Sequence, residues 1–149
     1  QLAQLNRSMA EEIFAAVPEE TSGTLRAAYE RAAYPEIFGN DRAVDSVVAE
    51  LLATDVTPEQ RQKIESRADQ YRQEWSSLAR GMVEAKQRKG ATQVFPPTRD
   101  SMESQLALQQ LRYQQDQLEQ RTLVQIELLL DSAQATIVQA HFDGAEEGK

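Results

Sequence analysis

"TPEQRQKIESRADQYRQEWSSLARGMVEAKQR", residues 57–88, is the stretch on which the fold turns. Gly81 is its only interior interruption, and one glycine in a helix costs roughly 1 kcal/mol against alanine. Ile64, Ala68, Tyr71, Trp75, Leu78, Met82 and Ala85 recur along it at steps of 4, 3, 4, 3, 4 and 3. That is a heptad seam on a helix about 48 Å long. Such a rod outruns any compact core that 149 residues can build, so it needs an apolar partner along its length.

The rod has a well-made start. Thr57 is a good N-cap, Pro58 takes the first helical position where its missing N–H is harmless, and Gln60 stands where a capping box closes. Glu59 adds negative charge at the positive end of the dipole. The partner lies downstream. "KGATQVFPPTRD" reads as a loop through Gly90, Pro96 and Pro97, and Asp100-x-x-Glu103 matches a second capping box before about thirty helical residues. Two long helices joined by one loop fold back as an antiparallel hairpin. In the second, Leu108, Leu111, Leu118 and Leu129 keep heptad phase, whereas Gln115, Thr122 and Gln125 take intervening seam positions. Eight glutamines between Gln105 and Gln125 place much of its middle in water.

Upstream, Leu2, Leu5, Met9, Ile13 and Ala16 mark a short amphipathic helix ended by Pro18. A second helix is expected over 22–33, with Leu25, Ala28, Tyr29 and Ala32 inward. Pro35 and the Gly39-Asn40 turn break the chain, and Asp41 caps a third helix whose stripe is Val44, Val47, Val48, Leu51 and Leu52. Downstream, "LDSAQ" (residues 130–134) punctuates the chain before a last short helix. The expectation is an all-α domain over 1–142: short helices in 1–55 packed against a hairpin in 57–130, a terminal helix in 131–142, and a flexible tail in 143–149.

Composition agrees. Helix formers dominate, Gly and Pro number 6 and 5, and a mean hydropathy of -0.60 with 6% aromatic residues suits thin helical layers. The net charge of -8 argues against nucleic acid, which demands cations against phosphate. Charge is unevenly spread: residues 57–90 carry 8 basic and 5 acidic side chains between two acidic segments. That basic helix reads either as one member of a self-neutralising fold or as a face for an anionic partner. Cysteine is absent, excluding disulfides, thiolate nucleophiles and Cys-based metal sites, and suiting an oxidising compartment. No apolar run reaches the length of a membrane span, so direct insertion of this segment is not expected. The chain starts with Gln, which leaves room for an upstream signal peptide or anchor.

The helix start at residue 57 has an echo. Val56, Thr57, Pro58 and Gln60 give the pattern apolar, cap, x, x, Gln, and Leu130, Asp131 and Gln134 repeat it 74 positions later. As capping alone the pattern is commonplace. The pair, VTPEQ and LDSAQ, also resembles the two LTxxQ motifs of the Spy/CpxP family of periplasmic stress proteins, a group related to ZraP and periplasmic heavy-metal sensors. The resemblance covers about residues 41–142, with Val for Leu in the first motif and Asp for Thr in the second. It implies a long-helix hairpin, often paired as a curved antiparallel homodimer. It also implies a non-enzymatic periplasmic or otherwise extracytoplasmic role: chaperone for unfolded clients, adaptor to a signalling partner, or sensor. The basic and apolar surface such a role needs is offered by the helix from residue 57, and the candidate protein-binding face is Arg61, Arg67, Tyr71, Arg72, Trp75, Leu78 and Met82. Tyr71 and Trp75 also read as ordinary seam core.

Catalytic chemistry is not legible. His141 is the only histidine, and with Asp143 and Glu146 it reads as surface; a histidine-based metal site would require two copies. There is no glycine-rich phosphate loop, GxSxG elbow, HExxH pair or Glu-x-x-His motif. The expectation is a protein without enzyme activity, cofactor or resident metal. A membrane-anchored sensor domain and a structural helical scaffold are the alternatives to the chaperone or adaptor reading.

Overall fold

The computed structural model describes residues 2–38, 42–91 and 99–147. They form α1 (Leu2–Ala16), α2 (Glu19–Ala33), α3 (Pro35–Phe38), α4 (Ala43–Leu52), α5 (Pro58–Ala91), α6 (Arg99–Glu127) and α7 (Ser132–Glu147), with no strand among the described residues. The all-α class and the α5–α6 hairpin match the sequence reading. The expected turn at Gly39-Asn40, the cap at Asp41 and the "VFPP" segment lie outside the described residues. Where one domain was expected, the chain divides into two compact units, residues 1–40 and 41–149.

In the first unit the sequence chose the wrong face of α1. Leu5, Met9 and Ile13 are all exposed, while Ala10 and Phe14 are buried. The side chain of Leu2 is outside the described set. Phe14 meets Tyr29 of α2 edge-on, with ring centroids 5.8 Å apart. Arg26 lies over Phe14 at 4.9 Å and bonds Glu11 at 3.0 Å. One aromatic pair with a cation on it outweighs a longer aliphatic stripe, because α2 has no apolar face broad enough to cover that stripe. α2 itself buries no residue; Leu25 is exposed and Tyr29 half-buried.

In the second unit the pattern holds. Val44, Val47, Val48 and Leu51 of α4 are buried against Ile64, Ala68 and Tyr71 of α5, Leu118, Leu123 and Ile126 of α6, and Val138 of α7. Each large aliphatic side chain so buried contributes roughly 1.5–3 kcal/mol.

The rod shows where the heptad description stops. Ile64, Ala68, Tyr71, Met82 and Ala85 are buried as expected, but Trp75 and Leu78 are half-exposed and Ala79 and Val83 are buried instead. A straight α-helix drifts about 20° per heptad from a 3.5-residue repeat, so by the third heptad the buried edge has moved to 79 and 83. Gly81 faces α6: a Cβ there would lie 3.4 Å from a methyl of Leu111, an ordinary van der Waals contact.

The ends differ too. α5 continues to Ala91, through Gly90. Asp100 and Glu103 do not form the expected box, because α6 already begins at Arg99, whose Nε donates to Glu103 at 2.9 Å. The Asp100 carbonyl accepts from the Ser104 hydroxyl at 2.8 Å. α7 runs to Glu147 rather than stopping at 142, since Ala145, Glu146 and Glu147 are adequate helix formers and Gly144 alone does not end a helix.

Candidate functional site

Both capping boxes form, and they form against each other. The Thr57 N–H donates to Gln60 Oε1 at 2.9 Å, and the Gln60 N–H donates to Thr57 Oγ1 at 3.2 Å. At the second box, the Asp131 N–H donates to Gln134 Oε1 at 3.2 Å, while Asp131 Oδ1 accepts from the N–H groups of Ala133 and Gln134 at 3.0 and 2.9 Å. The leftover amide protons then cross over. Gln60 Nε2 donates to the Leu129 carbonyl at 3.1 Å and to Gln134 Oε1 at 3.2 Å, and Gln134 Nε2 donates to the Asp55 carbonyl at 3.3 Å. Leu129 stands two residues before its cap and Asp55 two before its own, so the clasp has local two-fold logic. Only an amide can do this, accepting through oxygen at its own helix and donating through nitrogen to the other. Val56 and Leu130 sit half-buried on the core beside it.

Above the clasp, polar residues fasten α4 to α5. Arg61 donates to the Leu52 carbonyl at 3.0 Å, a cation at the negative end of α4. Asp45 accepts from Arg42 at 2.7 Å and from Arg72 at 2.8 Å, and Arg72 also holds Asp69 at 2.8 Å; the bond to Asp45 first, and Asp69 after it, raises the Arg72 pKa. Arg42 stacks over Trp75, 4.8 Å from the ring centroid. Tyr71, buried, donates to Glu119 at 3.4 Å. Burial pushes the Glu119 carboxyl above the usual carboxylate range, opposed by Tyr71, His141 and the Ala43 N–H, with Asp116 adding to the rise. Burial first, then the charge of Glu119, likewise pushes the Tyr71 phenol up.

The other side of the hairpin is open. Arg72 and Glu74 are two residues apart, hence about 200° around the helix, so Arg72 turns to α4 and Glu74 turns away. Glu74 bonds Arg121 of α6 at 2.7 Å, and this bridge divides a groove between the two rods. One compartment, about 220 Å³, is walled by Arg67, Gln70, Tyr71, Thr122 and Gln125. The other, about 720 Å³, has Leu78 and Leu118 with Ser77, Gln114 and Gln117 around them.

The candidate binding face therefore splits. Arg67, Tyr71 and Leu78 line the groove. Arg61, Arg72 and Trp75 are engaged with α4, and Met82 is buried in the hairpin. The α6 half of the groove was missed, because glutamines in a seam were read only as solvent-facing; Thr122 is in fact buried, its hydroxyl returned to the Leu118 carbonyl at 2.7 Å. No group of three or more His, Asp or Glu able to hold a metal occurs among the described residues, and no described helix is long and apolar enough to cross a membrane.

Comparison with known families, curated proteins and solved structures finds no match.

Proposed function

We propose that the unit formed by α4–α7 is a non-enzymatic protein-binding module, a chaperone or stress adaptor acting outside the cytoplasm, which takes an extended segment of an unfolded client or signalling partner into the α5–α6 groove. The groove carries the reading. Half-exposed Leu78, with buried Leu118 behind it, offers apolar contact for side chains, while Gln114, Gln117 and Gln125 offer amide donors and acceptors for a main chain, with no demand for one sequence. The Glu74–Arg121 bridge presents both signs of charge at the divide, which suits an extended segment whose own charges vary. The paired capping motifs and their resemblance to LTxxQ proteins point the same way, and that resemblance includes pairing of two copies.

The test is suppression of light scattering by an aggregating, reduced client at equimolar protein. Wild type is expected to delay aggregation, and Leu78→Asp, which puts a charge on the apolar part of the groove, is expected to lose most of the delay at unchanged helicity. No delay by wild type, or full activity in Leu78→Asp, overturns the reading.

A further inference from the structure

The smaller compartment of the groove is built differently from the larger one. Its floor is buried Tyr71 and Thr122, whose hydroxyl protons are already donated, to Glu119 at 3.4 Å and to the Leu118 carbonyl at 2.7 Å. Its rim is a chain of hydrogen bonds. Arg67 Nη1 donates to Gln70 Oε1 at 3.2 Å, Gln70 Nε2 donates to Glu74 Oε1 at 3.0 Å, and Arg121 donates to Glu74 Oε2 at 2.7 Å. Glu74 and Arg121 neutralise each other. Arg67 has no carboxylate partner among the described residues. Gln125, half-buried on the α6 wall, has no hydrogen-bond partner among them either.

A guanidinium carries its N–H donors in a planar fork, and Gln70 accepts only one of them. Gln70 also holds the fork in place, so less side-chain freedom is lost when the other donors close on a ligand. Those donors and the Gln125 amide, above a floor with no free hydroxyl proton, match a planar anion with two oxygens. We infer that this compartment is a carboxylate subsite, which takes the side chain of an aspartate or glutamate in the segment bound by the groove. The inference rests on the groove reading above and adds a preference to it: the Glu74–Arg121 bridge tolerates either sign of charge, and Arg67 favours one. The chain's net charge of -8 disfavours an acidic segment elsewhere on its surface, so selection for acid falls to Arg67.

The apolar compartment sets the spacing. On α5 the two compartments are walled by residues 67–74 and 74–78, and on α6 by residues 121–125 and 114–121. At about 1.5 Å per residue, both helices place the two centres about 8–9 Å apart along the hairpin. Two helices offer no sheet edge to hold a guest strand. The guest therefore lies as polyproline II, the extended form common in unfolded chains, in which every third side chain shares a face at a repeat of about 9 Å. The favoured segment carries an apolar side chain for Leu78 and a carboxylate for Arg67 three residues away.

Fluorescence anisotropy of labelled, C-terminally amidated peptides tests this, on a Gly-Ser host carrying one leucine and one glutamate. Peptides with the pair three residues apart, in both orders, are compared with the same peptides carrying glutamine and with a peptide whose pair is seven residues apart. Wild type is expected to bind the better of the two orders about three- to tenfold more tightly than its glutamine counterpart. Arg67→Gln, at an exposed position, is expected to remove that difference and leave the affinity for the glutamine peptide unchanged. Arg67→Lys keeps the charge without the fork and is expected to retain part of the difference. Equal affinity for the glutamate and glutamine peptides, a preference indifferent to spacing, or one that survives Arg67→Gln overturns the subsite; where Leu78→Asp still abolishes binding of both peptides, the groove stands without it. Binding of neither peptide by wild type overturns the groove reading along with the subsite.

Discussion

The side-chain amide of Gln60 donates to Oε1 of Gln134 at 3.2 Å across 74 residues of chain. Each glutamine closes its own capping box with oxygen and reaches a carbonyl of the other box with nitrogen, so the starts of α5 and α7 are held by a single clasp. A glutamate would complete either box equally well and would bring an oxygen against Leu129 or Asp55 instead of a donor. Gln60→Glu and Gln134→Glu are each expected to lower stability by about 1–3 kcal/mol. A double-mutant cycle on Gln60→Ala and Gln134→Ala is expected to show coupling of about 0.5–3 kcal/mol, where two independent caps would simply add. Urea unfolding followed by fluorescence measures both, because Trp75 is the only tryptophan and reports the second unit.

Glu119 makes stability depend on pH. Its carboxyl is raised in the folded state by burial, so the folded protein holds that proton more tightly than the unfolded chain does. The sign follows: its contribution is fully present below the unfolded pKa, about 4.3, and is lost as pH rises through the folded value. Glu119→Gln keeps an oxygen for Tyr71 and the Ala43 N–H but cannot ionise. It is expected to be more stable than wild type at pH 7, with the gap closing towards pH 4; a constant gap across that interval would assign the effect to packing instead.

Gly81 is a site for a gain. Its added Cβ would make ordinary contact with Leu111 at 3.4 Å, and the residue lies inside a 34-residue helix. Gly81→Ala is expected to stabilise by about 0.5–1 kcal/mol. Gly81→Leu is expected to cost stability by forcing α6 outward. The thermal midpoints of the two variants should move in opposite directions.

Trp75 is placed as a platform for Arg42 rather than as an open binding anchor. Trp75→Ala is expected to destabilise the second unit by about 2–4 kcal/mol, since it removes apolar area from the α4–α5 contact along with the cation–π contact. Denaturant unfolding followed by circular dichroism measures it. Client protection by Trp75→Ala, assayed where the variant remains folded, should stay close to wild type, and a large loss would return Trp75 to the binding face.

Local chemistry carried the sequence reading as far as it went. Capping, proline position and apolar spacing are properties of one helix at a time, and they sufficed for the stripe of α4, for the start of α5 and for both glutamine boxes, because each of these patterns repeats within four residues. The same logic failed on α1, where the choice between Phe14 and the Leu5, Met9, Ile13 stripe depended on what α2 could cover. It failed again at Asp100, where Arg99 competed for Glu103.

The amino-acid sequence by itself determined an all-helical chain, the long rod, its returning partner and the two capped helix starts. The meeting of Gln60 with Gln134, the pairing of Glu74 with Arg121 that divides the groove, and the burial of Glu119 beneath α4 were decided by tertiary structure. Each depends on which faces of two helices meet and in what register. Register is set by the packing of the whole α4–α7 core, and no single helix contains it.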